Sequence, residues 1–103
     1  MTLRRMRRGY WQIEDRLDLH GSHTDMARRQ LQEFLHEALQ RGLRCVLVIH
    51  GKGNNSQCGE AVLRKLTRHW LHQRSDVLVF CDAPHSEGGS GAVLILLKVG
   101  RTD

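Results

Sequence analysis

The chain has 103 residues, a formal net charge of +5, 40% hydrophobic and 26% charged side chains. Those figures fit one globular domain and exclude general disorder and fibrous repeats. Its longest apolar runs, Cys45–Ile49 and Ala92–Leu97, fall far short of the roughly 18 residues that span a bilayer, and no secretory leader is visible in residues 1–16. A soluble cytoplasmic domain without a membrane partner is expected. Cys45, Cys58 and Cys81 form no C-x-x-C pair, so neither a disulfide framework nor a cysteine zinc site is expected. Five arginines stand in residues 1–16 against Glu14 and Asp15, whereas residues 17–103 are almost neutral. A basic arm at 1–16 on a domain at 17–103 suits a polyanion such as nucleic acid, since each neutralised phosphate releases counterions. It equally suits a solvated linker from a longer parent protein.

In chain order, Leu17-Asp18-Leu19-His20 alternates apolar and polar, which predicts a half-buried strand stopped by Gly21. Ser22 or Thr24 is placed to cap a helix running to about Arg41, with Gly42 as its stop. Ala27, Leu31, Phe34, Leu35, Ala38 and Leu39 give that helix one apolar stripe. Cys45–Ile49 is a continuous, β-branched apolar run and predicts an interior strand. After the polar loop His50–Ser56, a second helix over about Gly59–Gln73 turns Val62, Leu63, Leu66 and Trp70 inward. Val77–Phe80 predicts a third strand, Asp82–Ser90 a loop and Gly91–Lys98 a fourth strand.

The order βαβαββ predicts an α/β fold, a two-layer sandwich with a four-stranded mixed sheet. Right-handed crossovers set both helices on one face. Strands two and four are apolar on both faces, so the face without helices needs a cover, either the arm with Tyr10 and Trp11 or a second subunit of a homodimer.

Strand-to-helix loops of such a sheet leave at one edge, where ligands usually bind. His20, the loop His50-Gly51-Lys52-Gly53 and the run Gly88-Gly89-Ser90-Gly91 should therefore meet there. Helix N-termini, close-approaching glycine backbone and Lys52 favour a phosphate. The sequence holds neither G-x-x-x-x-G-K-[ST] nor G-x-G-x-x-G, so the common nucleotide-binding loops are excluded. Asp18 and His20, two apart on a strand, share a face, a pairing that suits a general acid or base near neutral pH. Asp18 is also the one candidate ligand for a divalent cation such as magnesium. Taken alone, D-x-H also describes a carboxylate that caps a neighbouring amide, and each glycine segment alone describes an ordinary turn.

Together, Leu17-Asp18-Leu19-His20-Gly21, His50-Gly51-Lys52-Gly53 and Gly88-Gly89-Ser90-Gly91-Ala92 resemble, in order and spacing, the signatures of the Smr (small MutS-related) domain family. The resemblance covers about residues 17–98, with Val93 where threonine is often found. It implies a fold similar to the C-terminal domain of bacterial translation initiation factor three. It also implies nucleic-acid binding with endonuclease activity of little sequence specificity, nicking DNA or cutting RNA. Carried over by position, the activity motifs fall on Asp18, His20, His50, Gly51 and Gly53. The resulting expectation is that His20, oriented by Asp18, moves a proton, and that His50 is the complementary proton donor or phosphate ligand. Gly51, Lys52, Gly53, Gly89 and Gly91 would hold the phosphate, and Arg4, Arg5, Arg7 and Arg8 would lengthen the footprint. The rival expectation is a module that binds nucleic acid or a ribosome and cuts nothing.

Overall fold

The computed structural model describes residues 11–52 and 59–98; Arg4, Arg5, Arg7, Arg8, Tyr10, Gly53 and Cys58 lie outside the described residues. The elements run β1 (Asp15–Asp18), α1 (Thr24–Gln40), β2 (Cys45–Ile49), α2 (Gly59–His72), β3 (Val77–Asp82), two 3-10 turns (His85–Glu87 and Gly89–Gly91) and β4 (Ala92–Leu97). This is the expected βαβαββ order. Strand β1 lies two residues earlier than its alternation suggested, and β3 continues to Asp82.

The sheet order is β1-β2-β4-β3. Strands β1 and β2 pair parallel, while β4 is antiparallel to both β2 and β3. Strand β4 therefore slots between two strands that run the same way. Burial matches the order: all six residues of Ala92–Leu97 are buried, as are Cys45–Val48 of β2, whereas β1 alternates, β3 is only partly buried, and both take the edges.

Both helices cover one face, where Leu31 and Leu35 of α1 and Leu63 and Leu71 of α2 meet Val46, Val48, Val93 and Ile95. Helix α1 ends as the sequence predicts. Gly42 N–H donates to Leu39 O (3.1 Å) and Leu43 N–H to Ala38 O (2.9 Å), which satisfies the last carbonyls. Its start differs. His23 is the N-cap and makes no side-chain capping bond, and Ser22 Oγ pairs instead with Gln30 (3.3 Å). Helix α2 is rotated from the expected stripe: Val62 is 45% exposed, and the inward line is Leu63, Thr67 and Leu71. A buried threonine in that line is invisible to a reading that counts only apolar residues.

The opposite face carries Cys45, Leu47, Leu94 and Leu96, and Trp11 and Ile13 pack against it. Glu14 fastens this cover: its carboxylate accepts from the N–H groups of Arg44 (2.6 Å) and Cys45 (3.1 Å), and its own N–H donates to Cys45 O (2.8 Å). The Arg44 guanidinium lies 6.0 Å from the Trp11 ring centre. Trp11–Glu14, which the sequence assigns to the arm, thus pack on the sheet. Burial pushes the Cys45 thiol up to about 11, so it behaves as a small core hydrophobe, and Cys81 is likewise buried and in no disulfide. Among the described residues no helix is long and apolar enough to cross a membrane.

Candidate functional site

Strand register builds one edge. Asp18 pairs with Ile49 and Ile49 with Ala92, while Asp82 of β3 pairs with Val93. The residues just beyond these pairs are tied together: Leu19 N–H donates to Ile49 O (2.7 Å), and both His50 and Gly51 N–H donate to Gly91 O (3.0 and 2.9 Å). Adjacent strands lie about 4.8 Å apart, so the end of β1 stands only about 10 Å from the start of β4. Asp18–His20, His50–Lys52 and Gly88–Gly91, distant in sequence, share this edge as expected.

At its outer end, Leu19 is fully buried against the helix layer, which turns Asp18 and His20 outward. Asp18 Oδ1 accepts a 2.9 Å bond from the backbone N–H of His20. The carboxylate therefore shapes the turn that carries the imidazole, one of the three roles its sequence left open. His20 is exposed at the rim.

His50 is different. It is 0% exposed, and its Nδ1 donates to Gly51 O at 2.7 Å, which leaves Nε2 as the acceptor nitrogen, buried with no hydrogen-bond partner among the described residues. Burial holds its pKa below the usual imidazole value; the Gly51 bond opposes this, the guanidiniums of Arg68 and Arg64 reinforce it, and Asp82 opposes it weakly. A neutral, enclosed imidazole is poorly suited to the expected contact with a phosphate.

The glycines are mostly construction too. Gly88, at φ +115°, lets the chain turn between the two short helices. A Cβ on Gly91 would stand 2.9 Å from Lys52 Cγ and 3.4 Å from Lys52 N, so a side chain there would displace that of Lys52 where the β4 entry lies against the His50–Lys52 loop. The amides of Gly51, Gly89 and Gly91 already donate within the protein, to Gly91 O, Pro84 O and Gly88 O. Lys52, Gly88 and Ser90 are the exposed members of the two segments.

Sequence reasoning missed one cluster. Arg64 Nε donates to Ser90 O (3.1 Å), and one of its terminal nitrogens lies 3.8 Å from Asp82 Oδ1. Arg68 makes a close ion pair with the same carboxylate. Arg64 and Arg68 are one helical turn apart, but no motif marks them. Among the described residues no three His, Cys, Asp or Glu side chains gather closely enough to hold a metal ion.

The Smr domain profile matches residues 17–98. The chain is 35% identical over 97 residues to the ribosome rescue factor SmrB of Aliivibrio fischeri, covering 94% of this chain and 51% of that protein. It is 33% identical over 97 residues to the probable DNA endonuclease SmrA of Escherichia coli, covering 94% and 52%. The chain thus spans about half the length of these curated relatives. Among solved structures, YdaL, a stand-alone small MutS-related protein from Escherichia coli, superposes with a TM-score of 0.83 at 33% identity, covering 93% of this chain and 73% of that one. The Smr domain of Thermus thermophilus MutS2 gives a TM-score of 0.72 at 32% identity, covering 82% and 98%. In family profile, fold and the three motifs at its edge, the chain belongs to the Smr domain family.

Proposed function

We propose that this domain binds nucleic acid and cleaves its phosphodiester bonds with little sequence specificity. The observation that carries the reading is the sheet edge, where an exposed aspartate–histidine pair, an exposed lysine and a tight glycine turn stand within a few strand spacings. A relative named probable DNA endonuclease adds support.

In this reading His20 moves the proton at the scissile bond. It takes it from the attacking hydroxyl or gives it to the departing oxygen as the P–O bond breaks, and Asp18 fixes the backbone from which it acts. Lys52 and the outer side of the Ser90 turn meet the charge that develops on phosphate. Gly51, Gly53, Gly89 and Gly91 serve by allowing close approach. His50 is a positioning residue that braces this corner from within. A divalent cation at Asp18 would polarise a phosphate oxygen. Arg4, Arg5, Arg7 and Arg8 would extend the contact along the nucleic-acid backbone.

The second reading, a module that docks on nucleic acid or a ribosome without cutting, is favoured by the relatives named ribosome rescue factor. Supercoiled plasmid and single-stranded RNA incubated with the protein, in magnesium or in EDTA, separate the two. Nicking or cleavage that His20→Ala abolishes supports the enzyme. Intact polymers alongside retarded bands in a gel shift support the module.

A further inference from the structure

We propose that Arg64 is a ligand for the phosphodiester backbone, the nearest contact of a track that leaves the candidate site across α2 rather than along α1. The inference rests on the nucleic-acid reading above and names residues outside its motifs.

The argument begins with charge. The sequence of α2 holds Arg64, Lys65 and Arg68 against one acidic residue, Glu60, whereas α1 sets Arg28 and Arg29 against Asp25, Glu33 and Glu37. Of the two helices only α2 is basic. Geometry then singles out Arg64. Its Nε–H is spent on Ser90 O, the carbonyl of an exposed residue in the glycine turn. That bond pins the guanidinium beside the part of the edge where phosphate is expected. Asp82 lies 3.8 Å away on the far side and is engaged more closely by Arg68, so Arg64 is steered but not neutralised. A guanidinium has five N–H donors in a planar fork. With one donor holding Ser90 and the side chain 35% exposed, the remainder of the fork can meet a phosphate bidentately. Arg68, 22% exposed and paired with Asp82, acts as the brace. Lys52, whose Cγ packs by Gly91, supplies the second cation on the other side of the same turn.

The test separates charge from scaffolding. Arg64→Gln retains a donor for Ser90 O but loses the charge; Arg64→Lys retains the charge without the fork. Binding of a short duplex or single-stranded oligonucleotide is measured against salt concentration, with thermal melting of each variant alongside. If Arg64 neutralises one phosphate, Arg64→Gln melts like wild type, binds roughly tenfold more weakly and loses about 0.7–0.9 from the slope of log affinity against log salt. Arg64→Lys recovers the slope. A folded Arg64→Gln variant with wild-type slope and affinity overturns the proposal. Should Arg64→Gln not fold, the wild-type protein decides. Phenylglyoxal modification of Arg64 should fall severalfold in the presence of oligonucleotide, while Arg41, at the opposite end of the sheet, stays equally reactive; equal modification of Arg64 with and without oligonucleotide overturns it. Binding that depends on Arg64 without any cleavage removes the enzyme reading and leaves this one standing. Absence of all salt-dependent binding by the wild type removes both.

Discussion

The ends of β1 and β2 each carry a histidine just beyond the strand, yet the two are opposites. His20 follows an edge strand and stands in solvent, with its backbone held by Asp18; His50 follows an inner strand and is enclosed beneath α2 and the entry to β4. The difference comes from sheet position, not from the motif. A residue past an edge strand has a neighbour on one side only, whereas a residue past β2 meets β1 on one side and β4 on the other. The same side chain is therefore accessible in one place and a neutral wedge in the other. In the proposed reading chemistry belongs to the β1 end, and the β2–β4 corner holds it in shape.

The sharpest way to break that contrast is His20→Ala. Loss of a positioned acid–base group should lower cleavage by about 10²–10⁴-fold, while the melting temperature stays within a degree or two because the ring is exposed. A variant that melts much earlier, or that cuts at wild-type rate, would reverse the assignment of roles. The corner is probed by Gly88→Ala. At φ +115° an added Cβ is strained and would lie 3.0 Å from Ala92 Cβ, so urea titration should show a loss of about 1–3 kcal/mol. Cleavage per folded molecule should fall as well, because the turn that carries Ser90 shifts. Unchanged stability would mean that the turn is not under the constraint its geometry implies.

Much of this was legible in the residues, for identifiable reasons. The apolar run of β2 declared an interior strand, and the alternation at Leu17–His20 correctly put Leu19 inside and His20 outside. The glycines at 88 and 91 were correctly placed at the shared edge, but their function reads differently once their amides are followed. The arm with Trp11 was one of two covers the residues offered for the open face, and Glu14, reaching Arg44 and Cys45, fastens it there. Two features escaped because they depend on partners far along the chain. The burial of His50 depends on β4 lying beside β2 rather than at the far edge. The Arg64–Asp82–Arg68 cluster joins α2 to the end of β3, and neither segment has a pattern of its own that reveals it.

The smallest effect tests the buried histidine directly, through pH. Burial holds His50 below the ordinary imidazole pKa in the folded protein, against about 6.5 in the unfolded chain. Above roughly pH 6.5 the ring is neutral in both states and its contribution does not change with pH. As pH falls below that point the unfolded chain gains a proton that the folded protein does not, so unfolding becomes easier by at most about 1.4 kcal/mol per pH unit until the folded value is reached. Other histidines titrate in the same range, so the measurement is a difference: urea stability of the wild type and of His50→Gln, followed from pH 8 to pH 5. The substitution should lower stability at pH 8, where the Nδ1–Gly51 bond is intact in the wild type, and the gap should narrow steadily as the solution is acidified. Parallel curves across that range would mean that His50 takes up its proton as readily inside the protein as outside, and the contrast with His20 would lose its electrostatic basis.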